Sequence, residues 1–301
     1  MPSRPAKLRL LWLQGVTCNG NTHSFLNLEW LPQLLERFEL LYHPVLPCTQ
    51  TLEAVAACAS PCDVLVFEGS FDPEMERAGV SLATLLHYYG THAGHIVAVG
   101  SCAAFGGMFA ALAPERIGGL LFRGEAEKGP MQRMKGKVIN LSGCPAHPEW
   151  IGYTLQLIAD GLTVRRDALQ RPTELYSHLA HHGCVRNEYF EWKVDARQFG
   201  VREGCLYYVH GCRGPMTHAS CNLTLWNGVA SKMRVGTPCF GCTEPGFPKM
   251  DFFATKTNMS IPEEVPLGVS KRSYLTLTGI AKSFHVKRLE SRLIDDDQNA
   301  D

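Results

Sequence analysis

Residues 95–102 read His-Ile-Val-Ala-Val-Gly-Ser-Cys, an apolar strand pattern that stops at a glycine and is followed by a cysteine. Similar apolar runs occur at residues 8–13, 38–42, 63–67 and 137–141. Helical spacing of apolar residues separates these runs, at residues 25–35, 51–59, 75–89 and 148–160. Buried strands that alternate with helices are typical of a parallel sheet covered on both faces. The sequence therefore predicts an α/β fold whose N-terminal part is a flavodoxin-like, doubly wound parallel sheet.

The second half of the chain has a different character. From about Leu162, apolar periodicity is poor, glycine and proline are frequent, and cysteines and histidines accumulate. Such a segment needs cross-links to fold, and metal–sulfur bonds can supply them. We therefore predict two domains: a flavodoxin-like domain at residues 1–161, and an irregular domain of short helices and loops at residues 162–301.

The composition excludes several classes of protein. The 301 residues carry a formal net charge of zero and no basic stripe, which argues against nucleic acid as a partner. The chain contains no apolar run of about 18 residues, so no transmembrane helix is predicted. No signal-peptide pattern precedes the first strand, so we expect a cytoplasmic location, with peripheral membrane association as an alternative. Charged residues make up only 19% of the chain, which suggests a surface covered by a partner.

Three cysteines of the first half follow predicted strands. Cys18 comes after the first strand, Cys102 after the fourth and Cys144 after the fifth. The carboxyl ends of parallel strands meet at one edge of the sheet, where open α/β sheets bind their ligands. Three thiolates at this edge, each with a glycine nearby, suit zinc or an iron–sulfur cluster. Burial as small apolar residues is the alternative for each of them.

The second half contains enough ligands for two further sites. They are His181, Cys184, Cys205, Cys212, Cys221, Cys239 and Cys242. The H-x-x-C and C-x-x-C spacings within this set also occur in zinc sites. However, the last three cysteines lack an obvious fourth ligand, whereas structural zinc usually has four. Iron–sulfur clusters are therefore favoured, and a zinc-binding structural protein remains the alternative.

Seven short motifs occur along the chain, at residues 13–18 (LQGVTC), 68–70 (EGS), 98–107 (AVGSCAAFGG), 143–148 (GCPAHP), 205–207 (CLY), 211–215 (GCRGP) and 238–245 (PCFGCTEP). In combination they resemble the small, electron-transfer subunit of nickel–iron hydrogenases, over nearly the whole chain to about Met250. Any one of these motifs is weak, but the series is specific.

The resemblance implies three iron–sulfur clusters. The proximal cluster would be a [4Fe–4S] or [3Fe–4S] cluster held by Cys18, Cys102 and Cys144. The medial cluster would be a [3Fe–4S] cluster held by Cys221, Cys239 and Cys242. The distal cluster would be a [4Fe–4S] cluster held by His181, Cys184, Cys205 and Cys212, with His182 as the alternative to His181.

The chain departs from the family pattern at the proximal cluster. Asn21 stands where the family has a second cysteine, and an amide oxygen is a harder, neutral donor. Either Asn21 ligates one iron, or the site loses that iron and holds [3Fe–4S]. His23 is a further candidate ligand. Glu68 ends a predicted strand beside this site, and we consider it for a proton path or the subunit interface, with helix capping as the alternative.

The resemblance also implies a partner chain. The family splits hydrogen at a nickel–iron centre in a large subunit, whose paired C-x-x-C motifs are absent here, so this chain carries no catalytic residue of its own. We expect an uptake hydrogenase of the cytosolic branch, built as a higher oligomer of heterodimers, that passes electrons to a quinone, a cytochrome or a ferredoxin-like carrier. A hydrogen-sensing regulatory hydrogenase is the alternative. Cys48, Cys58 and Cys62 have no family counterpart, and we expect buried or free thiols there.

Overall fold

The computed structural model describes residues 6–249 and 251–284. The strands are β1 (Leu8–Gln14), β2 (Phe38–Tyr42), β3 (Val64–Glu68), β4 (Glu76–Arg77), β5 (Val80–Ser81), β6 (His95–Val99), β7 (Val138–Leu141), β8 (Thr257–Asn258) and β9 (Ile261–Pro262). The α-helices are α1 (Gly20–Leu26), α2 (Leu31–Leu35), α3 (Leu52–Ala56), α4 (Leu82–His92), α5 (Gly100–Phe105), α6 (Gly107–Ala110), α7 (Pro148–Ala159), α8 (Thr173–Tyr176), α9 (Asn187–Glu191) and α10 (Lys271–Ser283).

Five strands form one parallel sheet in the order β2-β1-β3-β6-β7. Counted among these five alone, the order is 2-1-3-4-5, which is the flavodoxin-like arrangement. Every residue of β3 and β7 is buried, so both faces of the sheet are covered there. The predicted doubly wound α/β fold is confirmed, and all five sheet strands coincide with apolar runs read from the sequence.

Two of the predicted helices are wrong in extent. The segment at residues 25–35 belongs to two helices, and the second has a proline in its first turn, where proline favours the start of a helix. The segment at residues 75–89 begins with the hairpin of β4 and β5. Its two turn residues, Ala78 and Gly79, both have positive φ, as a tight hairpin turn requires. Helix α4 begins only after Ser81, whose hydroxyl accepts the N–H of Thr84.

Internal contacts divide the chain into two compact units. The first unit runs to Tyr176 and includes Cys242–Pro248, and the second comprises Ser177–Gly241 and the described residues from Lys249 onward. A large apolar core fills the first unit around β1, β3 and β6. In the second unit, a core group of buried residues consists of Tyr189, Cys205, Tyr207 and Tyr274. The domain limits at residues 161 and 162 stay a prediction.

Helix α10 lies in a part of the chain for which the sequence predicted no element. Its N-cap is Ser270, whose hydroxyl accepts the N–H of Ser273 at 3.0 Å. Tyr274 and Ala281 are its buried residues, whereas Leu275, Leu277 and other apolar side chains of the helix are exposed. Across residues 6–249 and 251–284, no helix has both the length and the apolar character needed to cross a membrane.

Candidate metal centres

The proximal site lies in the first unit, at the carboxyl edge of the sheet. Cys18 follows β1, Cys102 lies in α5 directly after β6, and Cys144 follows β7. Cys18 and Cys102 are close enough to interact electrostatically. A Cβ atom placed on Gly20 would lie 3.3 Å from the Cys18 Sγ and 3.8 Å from the Cβ of Pro145, the residue after Cys144. The three strand ends therefore bring these cysteine-bearing segments together.

Glycines bring the backbone close to the proximal donors. A Cβ atom on Gly107, which has φ of +51°, would lie 2.7 Å from the Cys102 Sγ, and one on Gly100, with φ of +90°, would collide with the Asn21 amide. Only glycine accepts both the positive φ and the close approach. Burial raises the pKa of the Cys102 thiol, while a hydrogen bond with Ser70 opposes this shift. The site is therefore a tight cradle for soft sulfur donors.

The Asn21 side chain is buried and already engaged. Its Oδ1 accepts the backbone N–H of Ala146 at 2.8 Å, which joins helix α1 to the segment that carries Cys144. An amide oxygen has two lone pairs, so one of them is used by this hydrogen bond. His23, considered as a substitute ligand, is exposed.

Glu68 is fully buried at the end of β3. Its Oε1 accepts the backbone N–H groups of Asn21 and Thr22, both at 3.0 Å. Its Oε2 accepts the Trp12 indole N–H at 3.1 Å, the Gln14 amide at 3.2 Å and the Thr22 hydroxyl at 2.5 Å. The carboxylate thus ties β1 and β3 to the segment that follows Cys18. A role of Glu68 in a proton path or at the subunit interface stays a prediction.

The distal site is a small cavity inside the second unit. His181, Cys184, Cys205 and Cys212 all line it. The last three cysteines also interact electrostatically with one another. Three thiols and an imidazole form a soft donor set that suits an iron–sulfur cluster, so the residues present fit the group that the motifs imply.

Burial shapes the chemistry of the distal donors. It raises the pKa of the Cys205 and Cys212 thiols to about 12 and lowers the pKa of His181 to about 4, where the neighbouring His182 adds to the effect. A neutral imidazole is the form that ligates metal. The thiols are held protonated until a positive metal centre compensates for their charge.

The structure distinguishes between the two adjacent histidines. His181 faces the distal cavity and packs against Phe190 with a ring-centroid distance of 4.5 Å. His182 does not line this cavity: it is exposed, and its Nδ1 accepts the N–H of Leu179 at 3.2 Å. The geometry therefore favours His181 as the ligand.

Arg186 is a residue of the distal site whose role the sequence did not predict. It lines the cavity and is only 2% exposed. Its guanidinium donates to the carbonyls of Met233, Glu203, Gly204 and Val201. Five fixed donors make arginine suited to holding several carbonyls at once. Arg186 therefore fastens the loops that carry the distal cysteines and places a positive charge beside them.

The predicted medial ligands fall in both units. Cys221 and Cys239 belong to the second unit, whereas Cys242 belongs to the first. In the first unit, the Cys242 carbonyl accepts the Ser101 hydroxyl, so this cysteine lies at the carboxyl edge of β6. In the second unit, the Cys239 N–H donates to the Cys212 Sγ at 3.3 Å, which links it to a distal ligand. The medial assignment itself stays a prediction.

The twelve cysteines, all in the described part of the chain, form no disulfide. Among residues 6–249 and 251–284, no three His, Cys, Asp or Glu side chains are placed to hold a single metal ion.

Comparison with known proteins points to one family. Residues 18–158 match the profile of the NADH ubiquinone oxidoreductase 20 Kd subunit, and residues 176–254 match the C-terminal profile of the NiFe/NiFeSe hydrogenase small subunit. The F420 non-reducing hydrogenase II small subunit of Methanosarcina mazei is 30% identical, with 81% of this chain and 74% of the relative covered. The uptake hydrogenase small subunit of Afipia carboxidovorans is 29% identical, with 82% and 70% covered.

A solved structure agrees with these matches. The recombinant [NiFeSe] hydrogenase from Desulfovibrio vulgaris Hildenborough has a chain that superimposes with a TM-score of 0.67 at 28% identity, covering 83% of this chain and 98% of the other. The flavodoxin-like sheet and the cysteine-lined sites thus define an iron–sulfur electron-transfer subunit of an oxidoreductase. The chain belongs to the small subunits of NiFe hydrogenases. It pairs with a large subunit, which holds the catalytic site.

Proposed function

We propose that this chain is the electron-relay subunit of an uptake hydrogenase, which carries electrons from hydrogen oxidation through three iron–sulfur clusters to an acceptor. The observation that carries the proposal is the convergence of His181 and three cysteines on one distal cavity. This site lies in a different unit from the strand-end cysteines, so the chain offers more than one set of donors. A relative named as an uptake hydrogenase small subunit supports the same direction of flow.

We propose one set of ligands for each of the three clusters. The distal [4Fe–4S] cluster uses His181, Cys184, Cys205 and Cys212, and the medial [3Fe–4S] cluster uses Cys221, Cys239 and Cys242. The proximal site uses Cys18, Cys102 and Cys144, and we propose that it holds [3Fe–4S], because the Asn21 amide is a harder, neutral donor than the thiolate it replaces. When bound, each cluster takes up and releases one electron at a time. The protein supplies the soft donors, and burial shields Cys205, Cys212 and Cys239 from water.

Electron paramagnetic resonance of the oxidised heterodimer tests this assignment. Two [3Fe–4S] signals are expected, one medial and one proximal. Asn21→Cys supplies a fourth thiolate, so it should remove the proximal signal and raise the iron content by one atom. His23→Ala is the control and should change neither, since this side chain is exposed. A colourless protein that contains zinc but no iron would contradict the proposal.

The physiological role needs a separate measurement. Hydrogen-dependent reduction of a soluble dye should be fast in an uptake enzyme and very slow in a sensor. Fractionation of cells would test the expected cytoplasmic location. Mass photometry of the purified complex would test the expected higher oligomer of heterodimers. Neither location nor oligomeric state affects the ligand assignments above.

A further inference from the structure

The Ser101 hydroxyl joins three cysteine-bearing segments of the first unit. Ser101 directly precedes Cys102 and is only 2% exposed. Its hydroxyl accepts the backbone N–H of Gly143, the residue before Cys144, at 2.9 Å. The same hydroxyl donates to the backbone carbonyl of Cys242. One side chain therefore contacts the segments of two proposed proximal ligands and of one proposed medial ligand.

The position of this hydroxyl is fixed by the backbone around it. A serine hydroxyl has one donor hydrogen and two acceptor positions. Gly143 occupies one acceptor position of Ser101, and the Ser101 N–H in turn donates to the Gly143 carbonyl at 2.9 Å. These two bonds tie the segment after β6 to the segment after β7. The remaining donor hydrogen is thereby directed at the Cys242 carbonyl.

Two further side chains hold the residue after Cys242. The Ser142 hydroxyl donates to the Thr243 carbonyl at 2.9 Å, and the Arg171 Nη1 donates to the same carbonyl at 3.2 Å. Ser142 lies two residues before Cys144, and the side chains of Ser142, Arg171 and Thr243 are all buried. A buried hydrogen bond is costly to break, because the group that is set free stays away from water. The carbonyls of two consecutive residues are thus both held by buried donors.

Helix capping is the ordinary role of a serine near the start of a helix. Ser101 is the second residue of α5, yet the N-cap of this helix has no side-chain hydrogen bond. The two partners of the Ser101 hydroxyl lie 42 and 141 residues away in the sequence. The hydroxyl therefore connects distant segments and does not serve its own helix.

We propose that Ser101 is a positioning residue of the relay, which holds the medial ligand Cys242 at a fixed distance from the proximal ligands Cys102 and Cys144. The inference rests on the proposed ligand sets and on the relay function. All of these residues belong to the first unit, so the spacing is set within one compact part of the chain. Hydrogen bonds outside the ligands orient metal ligands and keep functional sites within about 0.5 Å of their working geometry.

The experiment compares Ser101→Ala with the wild type in the assembled heterodimer. Alanine removes both hydroxyl bonds, to the Gly143 N–H and to the Cys242 carbonyl. An iron chelator, bathophenanthroline, is added to the oxidised enzyme, and electron paramagnetic resonance follows the decay of the medial [3Fe–4S] signal. Loss of a partner outside the ligands typically weakens a metal site 10–100-fold, so the medial signal should decay at least about tenfold faster.

A second readout reports the position of the clusters and not their stability. In an oxidation state in which the proximal and medial clusters are both paramagnetic, each splits the resonance of the other by an amount that depends on their separation. Ser101→Ala should change or broaden this splitting, because Cys242 loses its bond to the segments that carry Cys102 and Cys144.

Ser24→Ala is the matched control. Ser24 is also a buried serine of the first unit, and its hydroxyl donates to the Ala146 carbonyl at 2.5 Å. The control should change neither the decay of the medial signal nor the splitting. Ser142→Ala is the second variant, for the case that Ser101→Ala does not assemble. It should also speed the decay, but less, because Arg171 still donates to the same carbonyl.

The outcomes separate this inference from the relay function. If the wild type shows no medial signal, or does not reduce benzyl viologen with hydrogen, the proposed relay itself fails. If the wild-type signal is present but decays equally fast in Ser101→Ala and Ser24→Ala, the positioning role is wrong. The role is also wrong if Ser101→Ala keeps the wild-type splitting.

Discussion

Replacement of Glu68 by glutamine should lower the stability of the fold around the proximal site without preventing folding. The native carboxylate accepts two backbone N–H groups, of Asn21 and Thr22, on one oxygen, and three side-chain groups, of Trp12, Gln14 and Thr22, on the other. Glutamine has one oxygen and an NH2 group. The least costly arrangement keeps the oxygen on the two backbone N–H groups and turns the NH2 group toward the three side chains.

The expected loss of stability depends on which donors of Glu68 can form a new hydrogen bond with glutamine. The Gln14 amide can rotate, and the Thr22 hydroxyl can turn to accept, because both contain an acceptor oxygen. The Trp12 indole can only donate, and it is fully buried, so it loses its partner. One buried donor without a partner costs about 1–3 kcal/mol, and loss of the charge on the two backbone bonds adds about 1 kcal/mol. We expect a total of about 2–4 kcal/mol, which should lower the melting temperature.

Differential scanning calorimetry of the assembled heterodimer measures this loss. Glu74→Gln is the matched control, because Glu74 is exposed and its ion pair with Arg116 should contribute at most about 1 kcal/mol. The proximal resonance signal of Glu68→Gln should also broaden, since the segment that follows Cys18 loses its anchor. Equal melting temperatures for Glu68→Gln and the wild type, or for the two variants, would refute the reasoning.

Three further predictions concern stability. Arg186→Lys should lower the free energy of unfolding by about 2–4 kcal/mol in a denaturant titration, because one ammonium cannot replace a guanidinium that serves four carbonyls. Tyr176→Phe should cost about 1–3 kcal/mol by calorimetry, since the buried Ser142 carbonyl loses its donor. Arg9 holds the pKa of Asp63 below its ordinary value of 3.8, so the pair stabilises the fold above that pH and its contribution is lost as the pH falls through the lowered pKa. Asp63→Asn should remove this acid dependence, measured by unfolding at several pH values, and should cost under about 1 kcal/mol at neutral pH because the pair is partly exposed.

The sheet could be predicted because a strand that is buried on both faces appears in the sequence as a continuous run of apolar residues. The run at residues 63–67 is an example, and β3 is buried throughout. The strand ends then placed Cys18, Cys102 and Cys144 at one edge, because parallel strands have their carboxyl ends in common. For the strands and the cysteines that follow them, the local sequence pattern and the topology of the sheet therefore predict the same arrangement.

Other features depend on contacts that are distant in sequence. The three-dimensional partners of Arg186 lie 15 to 47 residues away, so no local pattern could distinguish this buried anchor from a solvated arginine. Glu68 collects donors 46 to 56 residues away. The hairpin at β4 and β5 was missed because two-residue strands are too short to show alternation, although positive φ at Ala78 and Gly79 marks the turn in the structure. Helix α10 was missed because most of its apolar side chains are exposed.

In the second unit, one residue serves both as a proposed metal ligand and as part of the core. Cys205 is both a proposed distal ligand and a member of the core group with Tyr189, Tyr207 and Tyr274. Its thiol is held protonated by burial, so an ionised form becomes favourable only with a metal centre beside it. A unit with a small apolar core gains most from such bonds. Metal binding and packing around Cys205 would therefore stabilise the same loops.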